Sequence, residues 1–486
     1  MRASVGCTSG AVRSCEAQRL LFMVATTITH SLQRQHGNPA LRQALERQGL
    51  FTPHQTATRR WPIGCISLEV TQRCNLDCTL CYLSEHSEAV RDVPLEELFR
   101  RIDRIAERYG PNTDVQISGG DPTLRDHDEL VQITAYIKLR GLRSSLFTNG
   151  ILASRVLLVR LRDAGLSDVA FHVDLTQERA GYNSEADLNV LRLQYIERAR
   201  GLNLSIFFNT TIFDGNANDV PMLARFFSEH SDAVQLVSFQ MQAATGRGTL
   251  GERPDALTQP NMMQWIERGA RTPLNWDALI GGHPSCNRYA TALVMDRGEK
   301  AKAYDLFADG AFIARVMRET AHVPIMRGRP VRAALAWAAA VLARPSLALA
   351  GLRWLFALLW QARAQIFALR SARKISFFIH NFMDAKQLES DRIEACVFMV
   401  ATSDPDAQAF LPMCEFNARR DEFLLRPVML ADGTPWQPLP SSNGLVSANA
   451  QGLALYPIKF LKGRSRKYAI QQRKAERRGI SNDTPS

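Results

Sequence analysis

The first half of the sequence predicts an α/β fold built on a parallel sheet. Between residues 64 and 250, six short apolar segments typical of strands alternate with longer segments that show helical periodicity. Such alternation indicates parallel strands joined by right-handed crossovers. Six units are too few for a closed eight-unit barrel, so an open partial barrel and a doubly wound sheet both fit the pattern.

The elements follow one another in a regular order. The predicted strands are 66–70, 114–118, 144–148, 168–173, 204–211 and 234–241. Pro94 predicts the start of the first helix, because proline is favoured in the first turn and Leu95, Leu98 and Ile102 recur after it at helical spacing. The later helices are predicted at 128–139, 154–164, 186–200 and 219–230.

Length and composition set the domain organisation. A chain of 486 residues with 46% hydrophobic and 22% charged residues is typical of a globular protein with two or three domains. We expect an irregular or helical leader over 1–60, the α/β core over 61–250, a mixed α+β region over 251–440 and a basic, disordered tail over 441–486. The C-terminal region contains a segment, 331–374, that predicts an apolar helical hairpin.

Charge and cysteine content narrow the function classes. The net charge is +11, and the segment from Lys459 to Arg478 carries nine Lys or Arg against the single acid Glu476. Such a tail is typical of a solvated extension, with contact to anionic lipid or nucleic acid as alternatives. Nine cysteines in a long chain favour reduced thiols and a cytoplasmic protein, and no uncharged apolar run reaches 18 residues.

Three cysteines lie within eight positions directly after the first predicted strand: Cys74, Cys78 and Cys81. Structural zinc normally takes four ligands, and the nearest fourth candidate is His86. Three thiolates can instead hold an iron–sulfur cube and leave one iron open to nitrogen and oxygen donors. Polar motifs also follow the next four predicted strands, so a functional rim is expected at the carboxyl edge of the sheet.

The segment "CNLDCTLCY" (74–82) resembles the cluster motif of the radical S-adenosylmethionine (SAM) enzymes. The resemblance implies a [4Fe-4S] cluster on Cys74, Cys78 and Cys81 and SAM on its open iron. It also implies an oxidoreductase in which reductive cleavage of SAM yields a 5′-deoxyadenosyl radical that abstracts hydrogen. A reductant protein such as flavodoxin or ferredoxin is then the expected partner, and a partial (β/α)6 barrel is the expected fold of residues 61–250.

The same resemblance implies the SAM-binding residues. "SGGDPT" (118–123) is similar to the superfamily's Gly-Gly-Glu-Pro segment, with Asp in place of Glu, and its glycines are expected to allow close approach of the ligand. Either the Gly120 carbonyl or the Asp121 carboxylate is expected to meet the SAM ammonium. "LFTNG", "HVDLT" and "FNTTI" resemble the ends of the third, fourth and fifth strands. The implied cofactor residues are Gly119, Gly120, Asp121, Thr148, Asn149, Asp174 and Asn209.

The C-terminal half suggests the substrate class. "HPSC" followed by Cys396 and "PMCEFN" resembles tetraether-lipid-synthase-like radical enzymes, which implies a second iron–sulfur cluster and a lipid-like substrate. The expected ligands of that second cluster are Cys286, Cys396, Cys414 and His283. The sequence departs from those enzymes before the first strand, where only Cys65 stands in place of several extra cysteines.

The segment 331–374 contains Trp337, Trp354 and Trp360, and Pro345 is expected to divide it into two helices. Arginines interrupt each apolar stretch, so the segment is expected not to span a bilayer. A hairpin buried in the protein and an interfacial hairpin in the lipid headgroup zone both fit.

These observations give three hypotheses for function. The first is radical SAM chemistry on a lipid-like substrate, in a cytoplasmic protein peripheral to the inner membrane face, with no nucleic-acid partner. The second is the same chemistry on a peptide. The third is a zinc-stabilised protein whose basic tail binds nucleic acid.

Overall fold

The computed structural model describes residues 64–248, 253–278, 281–296, 300–320, 330–367, 372–404 and 409–439, together with 447–448 and 454–455. The predicted leader, 1–60, lies outside the described residues, and so does most of the predicted tail. Within the tail, two short strands, Ser447–Ala448 and Ala454–Leu455, pair with each other.

Six parallel strands and five helices form the first half of the chain, as the alternation predicted. The strands are β1 (Cys65–Thr71), β2 (Asp114–Gly119), β3 (Arg143–Thr148), β4 (Leu166–His172), β5 (Ser205–Ile212) and β6 (Val234–Met241). The helices are α1 (Leu95–Tyr109), α2 (His127–Leu139), α3 (Arg155–Ala164), α4 (Glu185–Ala199) and α5 (Val220–Glu229). Adjacent strands pair in sequence order, and every pair from β1 to β6 is parallel.

Local sequence explains the helix boundaries. Pro94 caps α1 with Glu96 and Glu97 in its first turn, where carboxylates meet the positive end of the helix dipole. The buried stripe of α1 includes Leu98 and Ile102, and the helix ends at Gly110, whose φ is 80°. The helix thus covers the face of the sheet that forms the main core.

Later strands extend the same sheet on both sides. They are β7 (Asn287–Met295), β8 (Lys302–Asp305), β9 (Ala372–Asn381), β10 (Phe398–Ala401) and β11 (Phe410–Pro412), and the full order is β11-β10-β1-β2-β3-β4-β5-β6-β9-β7-β8. β10 pairs in parallel with β1, and β9 pairs in parallel with β6. The segment after residue 250 therefore completes the sheet, which its sequence did not predict.

The sheet is strongly curved. β9 and β10 are seven steps apart in the strand order, which in a flat sheet would separate them by about 33 Å. The His380 ring of β9 nevertheless lies 4.9 Å from the Phe398 ring of β10, centroid to centroid. Both side chains lie on the face opposite the helices, so this face is concave.

The remaining described elements are α6 (Gln259–Ala270), α7 (Gly310–Glu319), α8 (Pro330–Leu342), α9 (Pro345–Gln361), α10 (Arg363–Phe367), α11 (Ser390–Glu394), α12 (Met413–Ala418), α13 (Arg420–Leu424), β12 (Val428–Met429) and β13 (Pro435–Trp436). α8 ends before Arg344 and α9 begins at Pro345, the position at which the sequence predicted a break. Leu347 and Trp354 of α9 pack on Phe312 of α7 in a small core of their own. None of the helices in the described ranges is long and apolar enough to cross a membrane.

Candidate functional site

The three cysteines lie on the loop after β1, at the carboxyl edge of the curved sheet. Two neighbouring segments fix this loop through its backbone. The Thr79 amide donates to the Thr176 carbonyl beyond β4 at 2.8 Å, and the Arg247 amide beyond β6 donates to the Leu83 carbonyl at 2.8 Å. Cys74 donates its amide to Glu88 Oε1 at 3.2 Å. The loop is therefore anchored from both sides of the concavity.

The two glycines after β2 permit a close approach of backbone to backbone. A Cβ on Gly119 would lie 1.9 Å from the Thr71 carbonyl oxygen, and a Cβ on Gly120 would lie 2.0 Å from the Arg73 carbonyl oxygen. The expected close approach is thus filled by the strand that leads into the cysteine loop. The glycines position this loop against β2.

Asp121 is fully buried, and protein donors engage both of its carboxylate oxygens. Oδ1 accepts from the Thr123 amide at 3.0 Å and from its hydroxyl at 2.5 Å. Oδ2 accepts from the Thr148 hydroxyl at 2.9 Å and the Asn149 amide at 2.8 Å. The carboxylate therefore ties the end of β2 to the end of β3.

Asn149 brings the third strand to the cysteine loop. Its side-chain amide donates to Asn75 Oδ1 at 2.6 Å and lies 4.0 Å from Cys74 Sγ. Its carbonyl accepts from Arg179 Nη2 at 2.6 Å. The expected SAM residue thus lies beside a predicted cluster ligand.

Asp174 is a second fully buried carboxylate with protein partners. It accepts from His172 Nε2 at 2.7 Å, from the Thr211 amide at 2.8 Å and from the amide and hydroxyl of Thr176. Burial alone would raise the pKa of Asp174, but His172 and these donors hold it below its usual value. Because Thr176 also holds the cysteine loop, Asp174 couples the fourth and fifth strands to that loop.

Two rows of side chains on the concave face continue below this rim. Strand register places His172, Asn209 and Ser238 side by side. Asn209 and Ser238 are buried, and the Ser238 hydroxyl has no hydrogen-bond partner in the described structure. Two residues earlier, the register aligns Phe147, Ala170, Phe207 and Leu236, of which all but Ala170 are half-buried. The concave face therefore has a polar row near the rim and an apolar row beneath it.

Arg247, beyond β6, is a site residue whose role the sequence did not predict. Its buried guanidinium lies 3.7 Å from Glu88 and 3.9 Å from Asp77. Burial opposes its charge, but Cys81, Glu88 and Asp77 raise the pKa of Arg247. Gly246 allows the segment before Arg247 to lie against the cysteine loop, because a Cβ on Gly246 would lie 2.4 Å from the Cys81 carbonyl oxygen.

A buried ion pair was also missed. Arg420 of α13 donates to Glu69 Oε2 of β1 at 2.7 Å, and its guanidinium lies 4.8 Å from the ring centroids of Tyr82 and Phe416. The Tyr82 hydroxyl donates to the Gly119 carbonyl at 2.5 Å. The residue after Cys81 is therefore held by the end of β2 and by α13.

The C-terminal thiols that the sequence grouped are neighbours in the structure. Burial, together with Cys414 and Cys286, raises the pKa of Cys396 to about 12, and burial raises the pKa of Cys414 to about 11. Arg392 Nε lies 3.2 Å from Cys286 Sγ. His283 instead lies 3.3 Å from the Asp391 carboxylate.

The donor chemistry of the first trio fits an iron–sulfur cluster. Cys74, Cys78 and Cys81 form no disulfide and are half-buried. Burial and the neighbouring charges of Cys81, Asp174 and Cys74 raise the pKa of Cys78, and Arg247 opposes them. A thiol with a raised pKa is deprotonated when a metal binds it, because binding is coupled to release of the proton. A site for a single metal ion is a separate question. Within the described ranges, no group of three His, Cys, Asp or Glu side chains is arranged to hold one.

Comparison with known proteins gives the family of this region. Residues 68–227 match the family model described as the Radical SAM superfamily. The chain contains a Radical SAM superfamily domain. This confirms the resemblance carried by the first half of the sequence. The resemblance of the C-terminal half to tetraether-lipid-synthase-like enzymes stays a prediction, because the family match ends at residue 227.

Curated relatives of the domain carry out diverse reactions. A 7,8-dihydro-6-hydroxymethylpterin dimethyltransferase of Methanocaldococcus jannaschii is 28% identical over 187 residues, which make up 37% of this chain and 37% of that protein. A probable GTP 3′,8-cyclase of Pyrococcus abyssi is 30% identical, over 37% of this chain and 58% of that protein. A PqqA peptide cyclase of Methylobacterium nodulans is 30% identical, over 35% of this chain and 44% of that protein. The chain thus spans between 37% and 58% of the length of these relatives.

Solved structures also align with the chain. Streptococcus suis SuiB bound to precursor peptide SuiA is 16% identical, with a TM-score of 0.34 over 44% of this chain and 48% of that chain. Methylornithine synthase is 14% identical, with a TM-score of 0.33 over 48% and 73%.

Proposed function

We propose that the protein is a radical SAM enzyme that abstracts hydrogen from an apolar, lipid-like substrate. The observation that carries the enzyme class is the placement of Cys74, Cys78 and Cys81, which form no disulfide, at the carboxyl edge of the sheet inside the matched domain. When bound there, a [4Fe-4S] cluster supplies one electron that breaks the S–C5′ bond of SAM, giving methionine and a 5′-deoxyadenosyl radical. The curved sheet from β1 to β6 corresponds in this proposal to the partial (β/α)6 barrel.

The site residues divide into two roles in this proposal. The Gly120 carbonyl and the side chains of Asn149 and Asn209 contact SAM from the ends of β2, β3 and β5. Asp121 and Asp174 act as positioning residues, because protein donors engage both oxygens of each carboxylate. Thr148 and Gly119 then position the same loops. A reductant protein such as flavodoxin or ferredoxin supplies the electron.

The apolar row of the concave face supports the substrate class. Phe147, Phe207 and Leu236 lie side by side beneath the polar rim and are only half-buried. Phe378 and Phe398 add two half-buried rings on the same face, with centroids 6.1 Å apart. Burial of an alkyl chain against such a row is favoured by about 0.8 kcal/mol for each CH₂ removed from water.

We further propose a second iron–sulfur cluster on Cys286, Cys396 and Cys414. Three neighbouring half-buried thiols with raised pKa values are poorly solvated as thiolates, and metal binding would compensate for their deprotonation. His283 is the fourth ligand that the sequence predicted for this cluster. In the structure its ring lies 3.3 Å from the Asp391 carboxylate. Peripheral contact with a membrane surface would bring the enzyme to a lipid substrate.

A peptide substrate is the second candidate. The polar row of His172, Asn209 and Ser238 offers hydrogen-bonding groups on the same concave face. The PqqA peptide cyclase among the relatives matches the domain at 30% identity.

One isotope experiment tests enzyme class and substrate together. The reduced, reconstituted protein is incubated with unlabelled SAM and with deuterated lipid extract or deuterated peptide fraction in separate reactions. Transfer of deuterium from lipid into 5′-deoxyadenosine is expected. Deuterium from the peptide fraction alone would support the second candidate, and the absence of 5′-deoxyadenosine in every reaction would refute the enzyme class. The Cys78→Ala variant is the control, because it lacks one predicted cluster ligand.

A further inference from the structure

We infer that the outward faces of α8 and α9 form a docking surface for an anionic lipid bilayer. This surface, here called the α8–α9 face, goes beyond the proposed function and rests on it only for its purpose, which is access to a lipid-like substrate. Binding itself is measurable without turnover.

α9 is apolar on two opposite sides. Leu347 and Trp354 point into the small core beside α7. With 3.6 residues per turn, Leu349 and Phe356 lie on the opposite side of the helix. Phe356 is 68% exposed, whereas Leu347 is fully buried. A helix that is apolar on all sides is normally buried. Because the second apolar stripe of α9 is exposed, packing within the fold does not explain it.

The exposed stripe is long and continues on α8. Its members on α9 are Leu349, Leu352, Leu355, Phe356, Leu359 and Trp360, each between 42% and 68% exposed. On α8, Val331, Leu335 and Leu342 recur at helical spacing and are between 65% and 70% exposed. Grouped exposed apolar side chains of this size mark an interaction surface.

The charge of the segment identifies the occupant. From Thr320 to Met383 the sequence contains nine Lys or Arg and no Asp or Glu. The four arginines of α8, α9 and their junctions form no ion pair within the described ranges: Arg332, Arg344, Arg353 and Arg363. An apolar face edged only by cations complements anionic lipid headgroups. A second copy of the chain would instead bring cations against cations.

The geometry fits a helix pair that lies in the plane of the interface. α9 has 17 residues, a length of about 25 Å, which is shorter than the hydrocarbon core of about 30 Å. The Arg363 guanidinium lies 4.7 Å from the centroid of the Trp360 ring, so an aromatic ring and a cation are adjacent at one end of the face. Trp and Arg side chains together are typical of the headgroup zone.

Sedimentation with vesicles tests the surface on the full-length, reconstituted protein. The probes are vesicles of phosphatidylcholine alone and vesicles with about one-third phosphatidylglycerol, which carry the negative surface charge. Phe356→Gln/Trp360→Gln removes two exposed apolar groups. Leu139→Gln/Val156→Gln is the matched control, because Leu139 of α2 and Val156 of α3 are 76% and 73% exposed elsewhere on the surface. Circular dichroism and 5′-deoxyadenosine formation check that both variants fold.

The expected result is binding to the anionic vesicles that falls about tenfold in Phe356→Gln/Trp360→Gln and is unchanged in the control. Equal binding by both variants would overturn the inference, because the basic tail would then be sufficient. Equal binding to neutral vesicles, or self-association that the double variant abolishes, would also overturn it. Vesicle binding without deuterium transfer from lipid would refute the substrate proposal alone. Transfer without vesicle binding would refute the docking surface alone.

Discussion

Replacing Arg420 by Met tests how the C-terminal segment supports the cysteine loop. Arg420 and Glu69 are 3% and 5% exposed, and their charged groups are 2.7 Å apart. Glu69 also accepts from Gln72 Nε2 at 2.8 Å. Methionine keeps much of the packing against Tyr82 and Phe416 but removes the Arg420 cation, so among the described residues the Gln72 amide is the hydrogen-bond donor left to the Glu69 carboxylate.

The expected loss of unfolding free energy is about 3–5 kcal/mol, because removal of one partner leaves a buried charge uncompensated. The double variant Glu69→Gln/Arg420→Met buries no charge and is expected to lie within about 1 kcal/mol of wild type. Removal of both charges therefore restores most of the stability that the single change removes.

Urea unfolding of the cluster-free protein, followed by circular dichroism, measures these differences. Arg419→Met is the matched control, because Arg419 pairs with Glu415 and Glu422 near the surface, with 34% of its side chain exposed. Loss of such a pair is expected to change stability by about 0–1 kcal/mol. Equal losses for the two arginines, or a double variant as unstable as Arg420→Met, would refute the reasoning. We also expect Arg420→Met to retain less iron, since Tyr82 directly follows Cys81.

Four further predictions concern the site. Asp121→Asn should lower the free energy of unfolding by about 1–3 kcal/mol, because the Asn side-chain amide would face two hydrogen-bond donors. The SAM Kd of the folded variant should stay within about threefold of wild type. A large loss of SAM affinity without a loss of stability would instead make Asp121 a SAM ligand. The native pKa of Asp174 is lowered, so its carboxylate contributes stability at neutral pH that is lost as pH falls below the ordinary value of 3.8. Urea unfolding of wild type and Asp174→Asn at several pH values measures this contribution. A difference in unfolding free energy that stays constant with pH would contradict it. Arg247→Gln should reduce iron retention during anaerobic dialysis, since Glu88 and Asp77 then face the cluster thiolates unopposed; unchanged iron content would contradict this role. Cys396→Ala should lower the iron count from about eight to about four per chain, while Cys65→Ala leaves it unchanged; a count of about four in wild type would exclude the second cluster.

The order of strands and helices in the first half could be predicted because each element carries its own periodicity. The cysteine trio was equally local, since its three ligands lie on one loop. By contrast, Glu69 and Arg420 are 351 positions apart, and neither residue has a neighbouring pattern that indicates the other. The parallel pairing of β9 with β6 and of β10 with β1 depends on the same kind of long-range contact.

The site residues show where residue type alone was insufficient. Gly119 and Gly120 were expected to allow a close approach of the ligand, but in the structure the groups that need their missing side chains are the backbone carbonyls of Thr71 and Arg73. Asp121 was expected near SAM, and its position in the chain does not reveal that protein donors surround it. Which group occupies a close approach is decided by the tertiary structure, and a motif records only that the approach is close.

The proposed function requires that three thiolates hold the cluster so that one iron stays free for SAM. Electron–nuclear double resonance on the reduced protein tests it most directly, with SAM labelled at the methionine amino nitrogen and at the carboxylate oxygen. Resolved couplings from both labels are expected, together with their loss in the Cys78→Ala variant. A reduced cluster in wild type with neither coupling would contradict the claim.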